Sequence, residues 1–489
     1  MSETTVTIQI RIRGFDVGRG VYPVEARLEP GGLFFGDLQL DQERLLIEQL
    51  DAKAYGNTLS NALFTGAVRD AYKEALGRAA GISNGQLRVR LWIDTDAAEL
   101  QHKVAWERLY NESASRPVPL ATSADTPFSR YISLDIADPQ PVDERPLRLL
   151  VAISNPNNLP AELAEVRVEE ELLGLSQALG DLAREGQVEV TVLPGRTELP
   201  AEVRQQLAAA HFNLVEGITN LSHISRHLQN KHLLHFLGHG RFQADKGEGG
   251  RASLYLEKDE GAWQAVGDES IVEQLGNLRP QPLLIFLAAC ESGKGAGQGP
   301  FAGLGPKLVQ AGIPAVVAMR EQLEVGMARD LTRDFYRRLL DHGEVDRALN
   351  EARNLLLGSP AGDWSIPVLY MRLRDGRLLK QAPGAEPEDQ DVVKPPPADT
   401  DPTKATAAQR TYSAGPLDLE SRVRIRKNLV QYFNLPELKT ICADLGIDYE
   451  NFPDTKDGMA RELLLFCERR GSVPALVDML RLVRPAVDW

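Results

Sequence analysis

Residues 283–299 read LLIFLAACESGKGAGQG: seven residues without a polar side chain, a cysteine at 290, then small and glycine residues. A short continuous apolar run closed by turn residues reads as a strand covered on both faces, the kind found in parallel sheets. LRLLVAIS (147–154), LLHFLGHG (233–240) and PAVVAM (314–319) have the same character. Helical patterns lie between them, at 164–186, 200–215, 303–312 and 328–358. Strands alternating with helices call for right-handed crossovers and a doubly wound α/β sheet, expected over residues 146–380. VTIQIRIRGF (6–15) and LRVRLWID (87–94) instead alternate apolar with polar residues, as half-buried strands do. Residues 1–145 are therefore expected to form a β-rich region packed on the same body.

The rest of the chain sets the limits. At 489 residues, it exceeds what one hydrophobic core usually serves. Its 43% hydrophobic and 25% charged residues are those of an ordinary folded protein. A net charge of −14 disfavours nucleic acid and anionic membrane surfaces as partners and favours proteins or small molecules. The opening MSETTVTIQIRIRGF lacks an apolar signal core, and no run of about 18 apolar residues occurs, so a cytoplasmic location without membrane insertion is expected. Residues 381–415 hold Pro, Gly, Ala and acidic residues with almost nothing to bury, which is the chemistry of a disordered linker.

In an open parallel sheet, ligands and chemistry gather at the carboxyl ends of the strands. Cys290 ends one apolar run, and His239, followed by Gly240, ends another. If the two strands are neighbours, imidazole and thiol meet. The imidazole then lowers the thiol's pKa and later protonates a leaving amine. A bare backbone at Gly240 lets N–H groups approach a developing oxyanion, those of Gly240 and Cys290 being the expected donors.

HFLGHG followed by LAACESG, with Cys290 51 residues after His239, resembles the His-Gly and Ala-Cys-x-Ser-Gly pair of the CHAT-type peptidases, bacterial relatives of caspases, metacaspases and separases. An interval of about 50 residues separates the two catalytic residues in caspases as well. HKVAWERLYN, with Ala105 where proline is usual, FSRYISL, LRLLVAISNP, GPKLVQAGIPAVVAM, VDRALNEAR and DWSIPVLYMR resemble further family blocks in the same order, so the resemblance spans about 1–375. It implies a caspase-like three-layer fold, Cys290 as nucleophile, His239 as general base and acid, Gly240 as an oxyanion donor, and Ser292 and Gly293 shaping the turn. It also implies amide hydrolysis of a protein substrate through a thioester, without a cofactor. The alternative is an inactive scaffold of the same fold that works by protein contact.

Other features carry less. Cys442 and Cys467 sit in apolar helical patterns and read as small buried residues. His223 and His227, four apart, lack a third ligand at diagnostic spacing, so no metal is expected. His235 is four strand residues from His239, about 13 Å away, and reads as a sheet residue. Gly297 to Ala302 satisfies a dinucleotide fingerprint, but too far from its strand end and with Pro300 where an N–H is wanted. Asp268, Glu269 and Glu291 are candidate acids for a basic substrate residue, none of them singled out.

From 416 to 489, short helices are legible: Asn434 before Leu435, a stripe of Leu438, Ile441, Cys442 and Leu445, stops at Gly446 and Gly471, and Ser472 as a further cap. YFNLPELKTICADLGIDYENFPDTKDGMARELLLFCERRG resembles the bacterial effector-associated or death-like domains. That implies recruitment by a sensor or effector protein bearing a related helical domain, with oligomerisation on activation, in antiphage defence or regulated cell death. Linking modules in this way raises effective concentration.

Overall fold

In the computed structural model, the described residues are 5–111, 117–160, 166–243, 250–259, 261–289, 300–321, 323, 325–357, 363–380, 419–433, 435–445, 447, 449, 456–469 and 472–484. Strands β1 (Thr5–Ile12), β2 (Tyr22–Glu29) and β3 (Leu33–Leu38) precede helices α1 (Gln42–Ile47), α2 (Ala52–Leu63) and α3 (Gly66–Ala80), then β4 (Gln86–Ile93) and α4 (Glu99–Lys103). A small ladder of β5 (Tyr110–Asn111) with β6 (Val118–Pro119) comes before β7 (Phe128–Tyr131).

Alternation begins at β8 (Leu147–Ile153) and runs through α5 (Val168–Arg184), β9 (Val188–Leu193), α6 (Ala201–Ala209), β10 (Phe212–Leu214), α7 (Leu221–Leu228) and β11 (Leu233–Gln243). The hairpin β12 (Arg251–Glu257) and β13 (Trp263–Gly267) then leads to α8 (Asp268–Gly276), β14 (Leu284–Ala289), α9 (Pro300–Gln310) and β15 (Ala315–Met319). Helices α10 (Val325–His342) and α11 (Val345–Asn354) and strand β16 (Pro367–Met371) follow.

Fourteen of these strands form one sheet, whose main path is β10-β9-β8-β11-β14-β15-β16-β7-β4-β1-β2-β3, with β12 and β13 branching from β11. The first six strands on that path are mutually parallel. Their burial explains their composition: every residue of β8 except Arg148 is buried. One face packs on α5, α6, α10 and α11, and the other on α7, α8 and α9. The result is the expected three-layer α/β architecture. The N-terminal strands join the same sheet, because β7 pairs with both β16 and β4. Strand β2 alternates buried with half-buried or exposed residues, its inner row facing a core shared with α2 and α3.

Three local features depart from the sequence pattern. Strand β16 runs antiparallel to β15, which an apolar run cannot disclose. The pattern at 200–215 splits, because His211 takes a left-handed conformation (φ 60°) and Phe212–Leu214 pairs with β9 as a sheet border. The pattern at 328–358 breaks at Gly343, whose φ of 80° and close approach to the Leu379 carbonyl leave no room for a side chain.

Helix α9 lies so close to β16 that a Cβ on Gly305 would sit 2.5 Å from Cδ2 of Tyr370, a fully buried ring. Gly305→Ala is therefore expected to destabilise by about 1–3 kcal/mol, strain outweighing the ~1 kcal/mol of helix propensity gained, as urea unfolding would measure.

The tail holds α12 (Leu419–Tyr432), α13 (Leu435–Asp444), α14 (Lys456–Arg469) and α15 (Val473–Val483) around a core of its own. Leu438, Ile441 and Cys442 face that core, as their spacing predicts, and Cys467 joins them. Burial pushes the Cys442 thiol up to about 12, so it is inert at neutral pH. Ser472 does not cap α15 with its side chain; its hydroxyl donates back to the Cys467 carbonyl (3.4 Å), beyond the preferred length. Asn434, Gly446 and Gly471 lie outside the described residues.

Candidate active site

β11 and β14 are neighbours, running parallel in a register that carries Leu233 opposite Leu284 and Gly238 opposite Ala289. The residues next in sequence after that last pair are His239 and Cys290. Cys290, Glu291, Ser292 and Gly293 lie outside the described residues; His239 and Gly240 lie within them.

Side chains two residues apart on a strand share a face. Leu233 and Leu237 point into the core beneath α5 and α10, together with Leu284 and Phe286. By that period, His239 points to the same face, and its residue is 5% exposed. His235, four residues earlier on that face, is consumed by the core: it stacks on Phe286 with ring centroids 4.7 Å apart, and its Nδ1 lies 3.2 Å from the Tyr336 hydroxyl. Burial pushes its pKa down to about 3, which keeps it neutral.

The backbone of β11 also has a direction. Ser154 N–H donates to the Leu237 carbonyl (2.9 Å), so the odd-numbered peptides face β8. Beyond the end of β8, strand β12 takes over that border, pairing His239 with Tyr255. The peptides of Gly238 and Gly240 consequently face the border occupied by β14.

Loops at the carboxyl ends of the strands are tied by one buried carboxylate that a sequence pattern does not reveal. Glu257, fully buried, accepts from the backbone N–H groups of Thr219 (2.8 Å), Asn155 (3.2 Å) and Arg196 (3.3 Å). Burial raises its pKa, and the three donors oppose that rise. The candidate acid Asp268 is engaged structurally, accepting from the Ala252 N–H (2.8 Å) and from Lys307 Nζ (2.6 Å). Glu269 is exposed, and Glu291 lies outside the described residues. His223 and His227 both lie on α7, and among the described residues no group of three or more His, Cys, Asp or Glu could hold a metal ion.

The blocks that resemble a known family meet in space. Arg108 pairs with Asp363 and donates from Nε to Ser365 Oγ (3.1 Å), while Trp364 Nε1 donates to the Glu107 carbonyl (3.3 Å). Glu107 and Arg130 form an ion pair with both side chains fully buried (2.6 Å). Asn350 Nδ2 donates to the carbonyls of Leu120, Ser123 and Thr126, and Arg353 to those of Pro367 and Ala121. WERL, FSRY, VDRALNEAR and DWSIP are thus parts of one buried polar seam.

The CHAT domain family matches residues 53–406. The chain belongs to the CHAT family. Its fold is the caspase-like α/β one, and effector-associated domain 7 matches residues 425–485, over the tail helices. No curated protein matches the chain. Among solved structures, it is similar to chains of the Saccharomyces cerevisiae separase–securin complex solved at 3.0 Å (TM-score 0.41, 11% identity, covering 75% of this chain) and at 2.6 Å (TM-score 0.37, 11% identity, covering 76%). The CHAT protein spans 30% of each of those chains. Among its described residues, no helix is long and apolar enough to cross a membrane.

Proposed function

We propose that this CHAT protein is a cytosolic cysteine endopeptidase acting through a Cys290–His239 dyad. The observation that supports it is the adjacency of β11 and β14, paired up to Gly238 and Ala289. The reading needs only that this register run one residue further, where neighbouring strands are about 4.8 Å apart and the two-residue period aims both side chains at one face.

The chemistry follows from that geometry. His239 takes the Cys290 proton, and the thiolate attacks the scissile carbonyl carbon. The carbonyl oxygen becomes an oxyanion, met by the N–H groups of Gly240 and Cys290; the Gly240 peptide faces the β14 border, as this role requires. The C–N bond then breaks, the amine leaves with the proton held by His239, and a thioester remains. Water, deprotonated by His239, attacks that thioester and returns the thiol.

In this reading residues 1–145 and 146–380 make the catalytic body, 381–415 a linker, and 416–489 a recruitment domain. The tail's match to an effector-associated domain supports contact with another protein. Recruitment to a sensor or oligomer, in antiphage defence or regulated cell death, would switch the enzyme on by raising its local concentration.

An activity-based thiol probe tests this. Labelling of Cys290 is expected when the tail is artificially clustered, and it should vanish in His239→Ala. No labelling of the clustered wild type would instead make the chain a scaffold. Deletion of 416–489 is expected to abolish partner capture while a clustered body still labels.

A further inference from the structure

Strand β11 runs past the core that covers it. His239 is 5% exposed, Gly240 is half-buried and Arg241 is exposed, so the strand reaches open ground within two residues of the candidate base. Side chains two apart on a strand share a face, and residues directly opposed in a ladder share it too. His239 therefore stands in one row with Tyr255 and Ala265, and Arg241 in the next row with Ser253 and Gly267. The reverse face, with Phe242, Leu254 and Leu256, packs on the core under α8 and α9.

The ground beside Arg241 is low. Ser253 is half-buried, Ala265 and Gly267 are exposed, and a Cβ on Gly267 would meet nothing within 4 Å. Among the described residues of β11, β12 and β13, the one acid on this face is Glu257, which is fully buried and held by backbone N–H groups. In a chain of net charge −14, exposed arginines such as Arg13 and Arg184 sit on carboxylates, those of Glu25 and Asp181. Arg241 has no hydrogen-bond or ion-pair partner among the described residues.

We infer that Arg241 determines specificity: it takes the carboxylate of an aspartate or glutamate lying within about two residues of the bond that is cut. This rests on the peptidase reading, and the geometry it uses is that of His239 and Arg241 alone. Two strand residues separate them, about 7 Å, which is also the span of two residues in an extended substrate. A guanidinium offers a carboxylate two parallel N–H donors, and no acid of this face competes for them. The candidate acid Asp268, which would favour a basic substrate residue, is already committed to Lys307.

The test digests a proteome-derived peptide library with the full-length protein, its tail artificially clustered, and reads the cut sites by mass spectrometry. Asp and Glu are expected to be enriched within two residues of the cut. For an acidic peptide from that set, Arg241→Ala should lower kcat/KM by about tenfold or more, the worth of one charge-assisted contact. Arg241→Glu should turn the preference toward Lys and Arg, which a loss of folding would not do. Arg241→Lys should keep the acidic preference in weaker form. Because the contact is exposed, the preference should fade as salt is raised. Cutting by wild type without acidic enrichment, or enrichment that survives Arg241→Glu, overturns the assignment and leaves the peptidase reading standing. A clustered wild type that cuts nothing overturns both.

Discussion

Replacing Cys290 by Ala, or His239 by Ala, is expected to lower kcat/KM by at least about 10⁴-fold, and the double variant to be no worse than either single one. The non-additivity is the informative part. A thiol without a base and a base without a thiol both forfeit the same covalent step, so the second substitution has nothing left to remove. Gly240→Ala leaves thiol and imidazole in place and alters how closely the backbone approaches the oxyanion. Its effect should fall on kcat, by about 10²- to 10³-fold, with KM little changed. Initial rates on a fluorogenic peptide library, with the tail clustered, measure all four. Equal activity of wild type and Cys290→Ala would end the peptidase reading.

Glu107→Ala is expected to cost about 3–5 kcal/mol of stability, because it leaves Arg130 charged and fully buried. Arg130 also donates to the Gln101 and Val104 carbonyls, which are neutral and cannot offset its charge. Substituting both partners together, with Leu for Glu107 and Met for Arg130, should recover much of the loss, since breaking a buried pair costs more than replacing it. Acid sensitivity follows from the same pair. Burial alone would raise the Glu107 pKa, but Arg130, by charge and hydrogen bonding, together with the charges of Arg353 and Arg320, outweighs it, and the carboxyl ends below its ordinary value. The pair's contribution is complete above the unfolded carboxyl's pKa of about 4.3 and is lost as the pH falls from there through the folded value. Urea unfolding at pH 7 and at pH 4 should show the penalty of Glu107→Ala shrinking at the lower pH.

How much of this was legible in advance varied with the kind of signal. LLIFLAA and LLHFLGH disclosed interior strands because a strand covered on both faces has no polar position to spare, and the end of the second marked His239 as a residue near the sheet's carboxyl edge. VTIQIRI and LRVRLWI disclosed strands with one covered face through their period of two. Strand direction was not legible: PVLYM in β16 looks like its parallel neighbours although it runs the other way. Contacts between distant polar residues were hidden as well. Lys307 and Asp268 each look like solvated helix positions, and only the meeting of α9 with α8 turns them into a pair. Glu257 gave no sign either, since its three partners are backbone groups that any residue carries.

The junction of β7 with β16 has a practical consequence for anyone shortening the chain. A fragment starting at Pro146 would lose the strand beside Tyr370 and Met371, baring a row of unpaired N–H and C=O groups along an apolar ribbon. Such a border is a template for pairing with other molecules. Asn350 and Arg353 would lose acceptors supplied by Leu120 to Thr126 at the same time. Expression of residues 146–380 by themselves would therefore yield aggregates, and soluble truncations must retain β7.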